Sequence, residues 1–160
     1  MNRTIAIAGL SAFAILAAAL LLYVRDASNG AQDAFITPSD QATVAQGKAV
    51  YDRHCAACHG ANLEGHPEWR KRLPNGRLPA PPHDESGHTW HHADALLIDI
   101  VKNGLVPGRT APDGYESDMP GFGKVLADAD VVAVLAYIKS RWPAEALEAQ
   151  KNVTLQSSRR

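Results

Sequence analysis

Arg53-His54-Cys55-Ala56-Ala57-Cys58-His59-Gly60 is the stretch that decides how the rest of this chain is read. Cys55 and Cys58 are the only two cysteines among 160 residues, and a histidine follows the second directly. No long-range disulfide is therefore available to staple the fold. Immediately upstream, Val44, Gly47, Val50 and Tyr51 recur on one side of a helical pattern from about Thr43 to His54, with Thr43 or Asp40 as possible caps. The cysteine turn is thus expected to follow a helix.

Cys-x-x-Cys-His is the attachment signature of a c-type haem. Two thiols one helical turn apart can each add to a vinyl group of the same macrocycle, and the adjacent histidine then lies under the iron as its proximal ligand. Cys55 and Cys58 are the expected thioether links and His59 the expected imidazole donor. A thioredoxin-like redox pair calls for a preceding strand in a βαβ unit, which the helical pattern before Cys55 does not offer. A zinc site needs further ligands, which His83, His88, His91 and His92 could supply.

Upstream, Thr4 to Val24 is an uncharged and almost wholly apolar run, about 21 residues or roughly 30 Å of helix, the length of one transmembrane span. Arg3 before it favours a cytoplasmic N-terminus, with the remainder of the chain outside. A cleaved signal peptide is the competing reading, although Tyr23-Val24-Arg25-Asp26 makes a poor cleavage site. Residues 1–24 are accordingly expected to form the anchor. Residues 25–42, polar and without a sustained period, read as a flexible linker, 43–143 as the folded domain, and 144–160 as a polar tail of frayed helix or disorder.

Downstream, a second helical pattern runs from about Ala93 through Leu96, Leu97, Ile100 and Val101 to Asn103-Gly104, and the strand signal is weak throughout. A third places Val131, Leu135, Ile138 and Trp142 at helical spacing, with Asp128 as its cap and Pro143 as its stop. Between these two lies Asp118-Met119-Pro120-Gly121-Phe122-Gly123. Met1 stands at the start of the membrane segment, so Met119 is the sole thioether candidate for a sixth iron ligand; the plainer reading is a methionine packing the core. The formal net charge of -1 gives no sign of the basic surface that a nucleic-acid binder would need, and that class is set aside.

These features in order resemble a class I, monohaem cytochrome c over about Thr43 to Pro143: Gly47 and Tyr51, then Cys55 to His59, then Met119-Pro120-Gly121-Phe122, then Leu135-Ala136-Tyr137-Ile138. The resemblance implies an all-α fold of three or more helices around one covalently bound haem c, here preceded by a transmembrane helix. It implies Met119 as the second axial ligand, and first and last helices that cross with Gly47 and Tyr51 against the face of Leu135 and Ile138. A proline carbonyl normally accepts the proximal histidine's other ring proton in this family. Pro81 or Pro82 is the candidate, after a Gly60 to Ala80 segment that is longer than usual. Trp90 and Arg77 are candidates for bonding haem propionates.

With His59 and Met119 both on the iron, no position remains for dioxygen or an organic substrate, so the expected function is electron transfer without catalysis. The redox-protein donor and acceptor belong to a respiratory or related chain on the extracytoplasmic, periplasmic side of the membrane. The basic stretch Arg70-Lys71-Arg72 with Arg77 is a candidate docking surface for an acidic partner. Two alternatives stand beside this reading. One is a ligand-binding or catalytic haem protein in which Met119 does not ligate, and the other is a membrane-anchored metal-binding protein using the His83 to His92 cluster, from which a histidine could also replace Met119.

Overall fold

The computed structural model describes residues 17–21 and 35–159. Residues 17–21 are helical; the rest of the expected membrane segment and the linker as far as Ala34 lie outside the described residues. Among the described residues no helix is long and apolar enough to cross a membrane.

From Phe35 onward the chain is one helical unit. α1 spans Gln41–His54, α2 is the short turn Ala56–His59, α3 spans Asp94–Asn103, α4 Asp128–Lys139 and α5 Ala144–Ser157, with a 3-10 turn over Thr89–His91. Among the described residues the only β pairing is an isolated bridge between Pro107 and Ala111.

The first helix begins where a capping residue permits. Asp40 accepts hydrogen bonds from the backbone N–H groups of Ala42 and Thr43, so it and not Thr43 is the cap. The third helix stops at Gly104, whose φ of 75° is cheap only for glycine. Asp128 is the first residue of α4 and does not cap it; Asp130 reaches back to the N–H of Ala127.

α1 crosses α4 at Gly47. A Cβ there would stand 1.9 Å from the carbonyl oxygen of Ala133 and 2.9 Å from Tyr137 Cβ, so only glycine allows this approach. One turn on, the Tyr51 and Tyr137 rings meet at 5.4 Å. The crossing therefore uses Ala133 and Tyr137 where Leu135 and Ile138 were expected. Ile138 joins Tyr51, Leu63, Val134, Tyr137, Trp142 and Ala146 in one apolar cluster, whereas Leu135 turns to a second with Leu97, Leu126 and Val131.

Two further expectations are corrected here. Pro143 does not end the fold but directly precedes α5, so the stretch read as a tail is a helix of 14 residues with Ala146, Gln150 and Thr154 buried. The linker reading also extends too far, because residues 35–40 already pack on the domain. Ile36 N–H donates to Asp94 at 2.7 Å and its carbonyl accepts from Lys139 at 3.0 Å. The reason both were missed is a buried polar network. Lys139 pairs with Asp94 at 2.6 Å, Gln150 Nε2 donates to Asp94 at 2.7 Å, and Asp94 N–H donates to Thr154 Oγ1 at 3.1 Å. Burial lowers Lys139 to about 8 against the pull of Asp94.

Candidate haem site

The turn carrying the motif is held from below. Cys55 N–H donates to Tyr51 O at 2.8 Å, and the buried Tyr51 hydroxyl donates to Gly60 O at 2.9 Å, so the helix that packs the core also fixes the ends of α2. Gly60, with φ 81°, closes the turn. Cys58 faces solvent, Cys55 is half-buried, and neither is in a disulfide. Burial, with the neighbouring Cys58, pushes the Cys55 thiol up to about 11.

His59 is 8% exposed, and its Nδ1 lies 2.8 Å from the Pro81 carbonyl. A carbonyl can only accept, so Nδ1 carries the proton and Nε2 keeps its lone pair free. Burial lowers the His59 pKa, and the Pro81 bond opposes that shift. Of the two prolines expected for this role, Pro81 fills it. Its placement follows from how the long segment before it folds. His66 N–H donates to Ala80 O at 2.9 Å and Leu73 N–H to Arg77 O at 2.8 Å, so the extra residues loop out and return. Pro82 then rests on Gly65, where a Cβ would meet its nitrogen at 2.3 Å.

Met119 sits in a partly buried loop laid against the end of α3. Phe122 and Gly123 N–H groups donate to the carbonyls of Val101 and Lys102, each at 2.9 Å, and a Cβ on Gly104 would stand 2.9 Å from Met119 O. The loop is anchored by backbone close to Met119, whose own N–H bonds to Ser117 Oγ at 3.0 Å.

The histidine cluster divides. His83 stacks on His59 with ring centroids 4.0 Å apart, His88 stacks on Trp69, and His91 lies against Trp90. Among the described residues no three His, Cys, Asp or Glu side chains converge to hold a metal ion. His83 cannot oppose His59 across an iron, because axial imidazoles stand end to end and these two are face to face. Arg77 pairs with Asp118 and Glu116, and Trp90 Nε1 donates to Glu85 O at 3.4 Å, so both propionate candidates bond protein groups. The basic stretch is partly engaged as well, since Lys71 pairs with Glu68, which offsets its charge, and Arg70 lies over the Trp69 ring.

A family model described as cytochrome c matches residues 44–142. The chain belongs to the cytochrome c family. This cytochrome c is similar to the Cbb3-type cytochrome c oxidase subunit CcoP of Azospirillum sp. (strain B510), 31% identical over 62% of the chain and 29% of that subunit. It is similar to the subunit FixP of Azorhizobium caulinodans, at 28% identity over 60% of the chain and 28% of the relative, and to cytochrome c-555 of Prosthecochloris aestuarii, at 44% over 23% and 43%. The chain thus spans under a third of the length of the oxidase subunits that it matches. No solved structure matches it.

The family's cofactor is covalent haem c, and two cysteines in this spacing suit one haem. The site fits that group on its own geometry: two thiols on one turn, Cys58 open to solvent, and an imidazole whose remaining nitrogen is unprotonated. Sequence reasoning named His83 only within the histidine cluster and missed its contact with the His59 ring, and it missed Leu63, buried at φ 73°, whose carbonyl accepts from His83 N–H. Only the position of His83, two residues after Pro81, carried a signal for it.

Proposed function

We propose that this cytochrome c is a one-electron carrier of a respiratory or related redox chain, with His59 and Met119 as axial ligands. It takes electrons from one redox protein and passes them to another, and it is not itself an enzyme. Residues 1–24 anchor it, and the haem domain works on the extracytoplasmic side. The observation that carries the reading is the His59 Nδ1 to Pro81 carbonyl bond directly after the two-cysteine turn. When bound, haem supplies a one-electron couple at its iron. Cys55 and Cys58 would hold it through thioethers. The Pro81 carbonyl fixes the His59 tautomer and raises its basicity, while the loop anchored on α3 is the element that would present Met119. Were His59 and Met119 both to hold the iron, an added small ligand would have to displace one of these side chains. The similarity to oxidase subunits supports a respiratory partner.

Optical spectra of the oxidised and reduced protein, wild type beside Met119→Ala, test the proposal. A ferric sulfur-to-iron band in the wild type that is lost in the variant is the expected result. Its absence from both, with rapid binding of added cyanide or carbon monoxide, would move the assignment to an open-iron, ligand-binding protein.

A further inference from the structure

The His59 ring has two different neighbours. Pro81 O holds one edge atom, Nδ1, at 2.8 Å, and the His83 ring covers a face at 4.0 Å between centroids with 24° between planes. A single hydrogen bond fixes where one atom lies and leaves the plane free to rock about it; a parallel ring restrains the plane.

His83 is itself held on several sides. Its Nδ1 lies 2.8 Å from the hydroxyl of buried Thr89, its N–H donates to Leu63 O at 2.7 Å, and its carbonyl accepts from Trp142 Nε1 at 2.7 Å. The Tyr51 ring meets it edge-on at 6.3 Å. Such a fastened ring is able to impose an orientation, which a mobile one is not.

We propose that His83 is a positioning residue for the proximal imidazole: steadied by Thr89, its ring lies face to face with His59 and sets the rotation of that ligand about its bond to iron. This rests on His59 being the axial ligand, and it does not depend on Met119. The ligand plane selects which iron orbital overlaps the imidazole π system. It therefore governs the magnetic anisotropy of the ferric state and contributes to the reduction potential.

The test is proton NMR of the full-length ferric holoprotein in detergent, wild type beside His83→Leu and Thr89→Val, with reduction midpoints measured on the same samples. Leucine fills a similar volume but offers no flat face. The haem-methyl resonances should redistribute in His83→Leu and, less far, in Thr89→Val, and the redox equilibrium against a fixed reference couple should move by up to about tenfold. His83→Phe, which restores a flat ring, should return the pattern toward wild type. Wild-type resonances and midpoints in both His83→Leu and Thr89→Val overturn the proposal. Should His83→Leu fail to accumulate with haem, Thr89→Val decides alone, a redistributed pattern supporting it and an unchanged one overturning it. His59→Ala separates this from the ligand assignment: loss of the low-spin spectrum upholds His59 as ligand whatever His83 does, and a retained spectrum overturns both.

Discussion

Two parts of this small domain bury polar side chains, for opposite reasons. Around His59 the buried groups face one another so that a nitrogen is left free: the Pro81 carbonyl accepts from Nδ1–H, His83 covers a face, and Nε2 remains available. Around Asp94 the buried groups consume one another. Lys139, Ile36 N–H and Gln150 all converge on its carboxylate, and Thr154 takes its N–H. The first arrangement keeps a donor open for chemistry. The second closes its donors and uses them to tie the start of the domain, α3, α4 and α5 together.

If that contrast is right, the two regions should fail differently. The largest expected effect is on stability: Asp94→Ala leaves the Lys139 ammonium buried without its carboxylate, which costs about 3–5 kcal/mol for a broken buried pair. Urea unfolding of the holoprotein measures this, and the optical spectrum of the folded fraction should stay that of wild type. Replacing both partners together, as Asp94→Leu with Lys139→Met, should recover much of the loss, because apolar pairs often match buried ion pairs. A double variant as unstable as Asp94→Ala alone would show that the network does more than satisfy its own charges.

Gly47→Ala comes next. Its Cβ would overlap the Ala133 carbonyl, so α1 and α4 must separate at the point from which Tyr51 supports the haem turn, at a cost of about 1–3 kcal/mol for overpacking. This change, unlike Asp94→Ala, is expected to alter the haem spectrum of the folded fraction as well, since the Tyr51 hydroxyl holds Gly60 O. A lowered urea midpoint with an unaltered spectrum would break the link between the crossing and the site.

The same contrast explains what was legible in the sequence. Cys55, Cys58 and His59 could be read because their chemistry demands residues adjacent in the chain, and α1, α3 and α4 because each carries apolar residues at helical spacing. α5 went unread because its buried positions include Gln150 and Thr154, so no apolar stripe marks it. Residues 35–40 looked like linker because what holds them, Asp94 and Lys139, lies 58 and 103 positions away. The helix crossing was legible at Gly47 but not in its register on α4, where Val131 to Lys139, apart from exposed Val132, are all buried and either face reads as core. The role of Pro81 over Pro82 hung on a loop whose closure at His66 and Ala80 leaves no pattern in composition.

The smallest expected effect lies at the edge between the two regions, where His88 and His92 meet with ring centroids 5.3 Å apart. Burial is the first cause that lowers both pKa values from 6.5, and the neighbouring histidines add to it. The sign follows from proton counting. Below pH 6.5 the unfolded chain protonates these rings more readily than the folded protein does, so unfolding takes up protons there and stability falls as pH falls. Above that value both states are neutral at these positions and the contribution is fully present. Urea midpoints of the holoprotein between pH 7.5 and 5 should therefore decline more steeply in wild type than in His88→Gln with His92→Gln. His92 O also accepts from Gln150 at 3.0 Å, so an acid-loosened pair is expected to disturb the polar network before it disturbs the haem turn. Equal slopes in the two proteins would place the acid sensitivity elsewhere and leave this pair as packing alone.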